Sequence, residues 1–210
     1  MIEILYIAAE ALLIYYLLYF RNKLRDPTKR YYFYSLLSIA LWVFFDYLLM
    51  KAPSLEIATA VFYFVLLSVS SAFSFFYLCS SSFVKWCDKK CKLEATLPFI
   101  PAIGMILFNK TNVLIRKEFG FQVVPNLWEL AWIATGVILV TYGLIILYEV
   151  MKKVEKPELK KKMRILLITL SLAVAGGVIG ILLTFYGCPS SISPMLTTFI
   201  ISFSILAFKK

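Results

Sequence analysis

Three carboxylates sit where carboxylates are costly: Glu10, Asp46 and Glu129 lie inside or at the edges of long apolar runs. An acid at the centre of a membrane-spanning helix costs about 2.5–3.5 kcal/mol on insertion scales, so each requires a local reason. Asp46 shares a helical face with Trp42, Ser38 and Ser35, at successive spacings of four, four and three. The next apolar run carries a second polar stripe, Thr59, Tyr63, Ser70, Ser74, Tyr77 and Ser81, and the last run adds Thr198 and Ser202. Lipid offers hydroxyls no partner, so these stripes are expected to face one another inside a bundle. Three roles are open to the acids. Glu10, Asp46 and Glu129 could line a polar cavity with Trp42, Ser38, Ser70 and Ser74, binding a small ligand or a cation. They could instead fasten helices together, or, for Glu129 at the margin of its run, snorkel to the surface.

Other chemistry finds little support. Histidine is absent, which removes the commonest general base, metal ligand and phosphoacceptor. Cys87 and Cys91 have the spacing of half a metal site, but no second pair stands nearby and Lys89 and Lys90 would repel a cation, so no metal is expected. Cys188 has no evident partner, and no disulfide framework is expected. The last apolar run has no lysine before the terminal pair, as a retinal protein would need, and no phosphate-binding glycine loop occurs. An intramembrane serine protease would lack its usual base. The expectation is a non-enzyme without a cofactor.

The elements that hold these residues follow from composition. Of 210 residues, 61% are apolar and 16% charged, and the mean hydropathy is +0.84, more than a soluble globule of this size can bury. Seven runs approach the ~20 residues that cross the hydrocarbon: about 2–20, 31–50, 57–83, 95–108, 127–151, 165–186 and 194–208. The reading is an all-α polytopic membrane protein, one domain of seven transmembrane helices in the cell membrane. The first run lacks a basic leader and a cleavage site, so it reads as a retained span. Pro98 and Pro101 near the start of the fourth predict a kink there. Gly176, Gly177 and Gly180 in the sixth predict close helix packing or a hinge.

Charge sets the orientation. Eighteen lysines and arginines fall in the first, third and fifth connections and at the C-terminus, against four in the other connections. The positive-inside rule then places the N-terminus outside and the C-terminus in the cytoplasm. The net charge of +10 is dispersed in short clusters between apolar runs, which suits anionic lipid headgroups and not nucleic acid. The connection 109–126 is long enough to fold over the mouth of the bundle. A single glutamine and four asparagines beside abundant lysine match a bias of heat-adapted organisms.

The stretch RNKLRDPTKRYYFYSLLSIALW, the proline-bearing LPFIPAIGMILF, and GFQVVPNLWELAWIATGVILVTYGLIILYEV with the basic loop after it together resemble the seven-transmembrane N-terminal sensor region of prokaryotic histidine kinases and related membrane regulators. That resemblance implies a signal-input module whose helices relay an extracellular or intramembrane stimulus to a cytoplasmic output domain or partner protein. No phosphoacceptor histidine or ATP-binding module accompanies it here, so any output is expected from a further domain or a partner. The competing readings are a small transporter of three-plus-one-plus-three layout and a structural subunit of a membrane complex.

Overall fold

The computed structural model describes residues 2–83, 89–108, 114–117, 120–123, 127–185 and 192–203. Helix α1 (Ile2–Phe20) ends in a tight turn at Arg21–Lys23. Helix α2 (Pro27–Lys51) starts where Asp26 and Pro27 form a start signal: the Asp26 carboxylate accepts the Thr28 N–H at 2.9 Å and proline takes the first helical position. That capping makes α2 begin four residues before the apolar run does. Helix α3 (Leu55–Ser82) is capped by the Ser54 hydroxyl, which accepts from the Ile57 N–H. Helices α4 (Lys89–Glu94) and α5 (Phe99–Phe108) are two parts of the fourth span. Helix α6 (Leu127–Lys153) is followed by α7 (Pro157–Phe185) and α8 (Ile192–Ser202). Proline again opens α7, so the helix takes in the basic residues that the sequence reading had left in a loop.

Among the described residues, six helical segments are long and apolar enough to cross a membrane: Glu3–Lys23, Pro27–Lys51, Leu55–Ser82, Lys89–Phe108, Leu127–Lys153 and Pro157–Gly180. The seventh expected span is described only as the eleven residues of α8, a rise of about 16 Å, and 204–210 lie outside the described residues. Large side chains such as Ile7, Ile14, Phe64, Ile100, Ile138 and Ile179 face outward. Such a surface needs lipid and not water, and this is a multi-pass membrane protein by its helices.

The purely helical expectation needs one correction. Within the connection 109–126, β1 (Leu114–Lys117) pairs antiparallel with β2 (Gly120–Val123), Leu114 opposite Val123 and Arg116 opposite Phe121. Backbone groups outside a helix still need partners, and a hairpin supplies them within a short segment. Its Leu114 and Phe121 are buried in the same cluster as Trp42, Phe62, Met105 and Trp132, so the hairpin sits at the end of the bundle where α2 passes to α3. The opposite, lysine-rich end carries the turn between α6 and α7.

Helix α2 packs between α1 and α3, α3 meets α5 and α6, and α7 lies against α6 and α8. Helices α3 and α6 approach closely through glycine. A Cβ on Gly136 would fall 2.3 Å from the Phe73 ring, and one on Gly143 3.2 Å from the Ser80 hydroxyl. A second buried cluster joins Leu13 and Phe20 of α1, Leu36 of α2, Phe76 of α3, Leu147 of α6 and Leu166 of α7.

Candidate functional site

Between α2, α3, α6, α7 and α8 lies a partly open cavity of ≈ 150 Å³. Helix α2 presents Ser35, Ile39, Trp42 and Asp46 to it, the face that helical spacing predicted, with Ile39 in place of Ser38. These residues occupy eleven steps of the helix, so the cavity extends about 16 Å along α2. Helix α6 adds Glu129 and Trp132, α8 adds Thr197, and α7 adds Gly177. The remaining wall is valine, isoleucine, leucine, alanine and phenylalanine. The space is therefore an apolar chamber with its two acids at the hairpin end, where the sequence reading had expected a polar one.

The acids are held in different ways. Asp46 is 3% exposed and accepts a hydrogen bond from the Tyr6 hydroxyl at 2.5 Å, which ties α1 to the cavity wall. One turn nearer the helix end, Lys51 of α2 pairs with Glu3 of α1 at 2.5 Å. Lys51 is thus engaged by a second acid and does not line the cavity. Glu129 is 6% exposed, so it is folded into the bundle and does not snorkel. Each acid has an indole one turn deeper: Trp42 below Asp46 on α2, and Trp132 below Glu129 on α6. Glu10 is not brought to this chamber. It lies half-buried on α1, one turn beyond Tyr6, and among the described residues its Oε1 has no hydrogen-bond partner.

Of the serines expected to line the cavity, Ser70 and Ser74 hold the broken fourth span instead. Between α4 and α5 the chain runs in tight turns: the Thr96, Leu97, Phe99 and Ile100 N–H groups each donate to the carbonyl three residues back. Pro98 has no N–H, and the Phe99 N–H goes to Thr96, so the Ala95 carbonyl has lost its usual helical donor. The Ser74 hydroxyl supplies a replacement at 2.5 Å. Ser70 donates to the Pro98 carbonyl at 3.3 Å, and the Tyr77 hydroxyl donates to Glu94. Ser70, Ser74 and Tyr77 are one face of α3 at spacings of four and three, a ladder built against the break. Irregular backbone at membrane depth persists only where protein satisfies it. The same Ser70 hydroxyl accepts from the Trp132 Nε1 at 2.9 Å, so the ladder also positions a cavity wall. Ser38 is buried and donates back to the Tyr34 carbonyl of its own helix. Pro98 and Pro101 are both buried at this break, the kink that their positions predicted.

Helices α7 and α8 meet through the predicted glycines. A Cβ on Gly176 would lie 2.9 Å from Ile200, and one on Gly177 3.2 Å from the Thr197 hydroxyl; Gly180 is buried further along the same helix. Thr197 faces the chamber, whereas Thr198 is fully buried outside it and its carbonyl accepts from Ser202. Cys79 and Cys91 are buried, and Cys87 and Cys188 lie outside the described residues. Among the described residues no group of three metal-ligating side chains occurs.

Sequence reasoning missed Tyr6, Trp132, Phe73 and the close approach of Gly136 and Gly143 to α3. Tyr6 precedes Glu10 by four and Trp132 follows Glu129 by three, so a search one turn from each acid would have found both. Compared with protein-family models, with curated proteins and with solved structures, the chain has no match.

Proposed function

We propose that the protein is a membrane signal-input module. A stimulus is received in the chamber beneath the hairpin and is passed to a cytoplasmic output domain or partner protein through α7 and α8. The single observation that carries this reading is that Gly177 of α7 and Thr197 of α8, in close approach to one another, also form part of the chamber wall. An occupant would press on a place where these two helices approach closely. Helices packed through small residues repack in discrete steps of about 1–2 Å, the usual size of a transmitted helix shift.

In this reading the chain has seven spans, the seventh being the apolar run 194–208, with the N-terminus outside and the C-terminus in the cytoplasm. The support is the distribution of eighteen basic residues against four. The lysine-rich end then lies against anionic headgroups, and the hairpin lies on the outer side.

A reporter enzyme fused after Lys210 tests the orientation. It is expected to be active only in the cytoplasm, and activity outside the cell would overturn the relay. Flux assays in proteoliposomes separate sensing from transport, since a signal-input module holds its ligand without carrying it across.

A further inference from the structure

We propose that the chamber takes a small hydrophobic organic cation: a substituted ammonium carrying an aromatic or branched alkyl group. Its charge would lie between Asp46 and Glu129 and its apolar body in the deeper part of the cavity. This deepens the reading of the chamber as the stimulus site and rests on it.

The charge of the walls is the first argument. Two buried carboxylates reach the cavity, and among the described residues no lysine or arginine lines it. An anion would meet the acids with nothing to offset the repulsion. A purely apolar occupant would bring hydrocarbon against both carboxylates and gain nothing from them.

The second argument separates organic from inorganic cations. A hard metal ion needs six to eight oxygen ligands, or a tight octahedron, at one point. Here Ser35 is eleven residues along α2 from Asp46, roughly 16 Å away, so it cannot join the two acids around one ion, and among the described residues no third metal-ligating side chain joins them. What does stand beside each acid is an aromatic face. Trp42 is one turn deeper than Asp46, and Trp132 one turn deeper than Glu129. Paired acids and indoles are the surroundings that favour a weakly hydrated ammonium, through charge and cation–π attraction together. Below them Val69, Phe73, Phe76 and Val140 continue an apolar wall suited to hydrocarbon.

The test uses the full chain in nanodiscs of uncharged lipid, with empty discs subtracted. The probes are benzyltrimethylammonium and neopentylbenzene, which have the same shape and differ in one central atom and its charge. Saturable binding by calorimetry is expected to be at least roughly tenfold tighter for the cation. In the double variant Asp46→Asn with Glu129→Gln the preference should vanish while neopentylbenzene binds as before. Equal affinities in the unaltered protein, absence of cation binding, or a preference that survives the double variant would each overturn the proposal. The unaltered protein alone decides if the double variant does not fold. Cation binding without any movement of α7 against its neighbours would leave this site standing and remove the signalling role.

Discussion

The Trp132 indole donates to the Ser70 hydroxyl at 2.9 Å, and that hydroxyl donates onward to the carbonyl of Pro98. One serine thus joins a wall of the chamber on α6 to the broken fourth span. Its neighbour Ser74 serves the Ala95 carbonyl in the same break.

Removing the Ser74 hydroxyl leaves a buried carbonyl without its donor. Ser74→Ala is expected to lower stability by about 1–2 kcal/mol, measured as resistance to unfolding by sodium dodecyl sulfate. Ser38→Ala, whose hydroxyl bonds only within its own helix, should change it by less than about 0.5 kcal/mol. Equal effects would show that the ladder does not hold the break.

The Tyr6 hydroxyl and the Asp46 carboxylate link α1 to α2 at the chamber. A double-mutant cycle with Tyr6→Phe and Asp46→Ala should return a coupling of about 0.6–1.7 kcal/mol, the range for hydrogen bonds between helices in a membrane. Strict additivity would contradict the bond.

Close approach at Gly136 is stricter than at Gly177. Alanine at 136 meets the Phe73 ring at 2.3 Å, whereas at 177 it meets a threonine hydroxyl at 3.2 Å. Gly136→Ala should cost about 1–3 kcal/mol through overpacking. Gly177→Ala should be near neutral in stability, because alanine's helix preference offsets the contact. Thermal unfolding in detergent would show the order, and a reversed order would refute the packing described for α3 and α6.

Phe121 anchors the hairpin and is 5% exposed. Phe121→Ala should release β1 and β2, with faster amide exchange across the hairpin and unchanged protection in α2 and α3. Unchanged exchange at Leu114 and Ile115 in the variant would show that the ring does not seat it.

The α2 face was legible because helical spacing alone puts Asp46, Trp42 and Ser35 together, and all three reach the chamber. The kink at Pro98 was legible because proline lacks an N–H. The serine ladder could be read as a stripe, but not as a ladder, since its partners are main-chain carbonyls freed by a break twenty residues on. Glu10 looked equivalent to Asp46 as a shallow acid. Tyr6 and Glu10 share a face of α1, and only the height of α1 against α2, which sets Tyr6 and not Glu10 level with Asp46, separates them. The hairpin was missed because four-residue strands leave little alternation to detect, and its burial depends on Trp42 and Phe62 far away in the chain.

The central claim is that an occupied chamber moves α7. Spin labels on Leu172→Cys in α7 and Ile138→Cys in α6, both exposed positions, report that distance with the other cysteines replaced by serine. Saturation with benzyltrimethylammonium is predicted to shift the distance distribution by about 1–2 Å, with no shift from neopentylbenzene. Superimposable distributions at full occupancy would contradict the account.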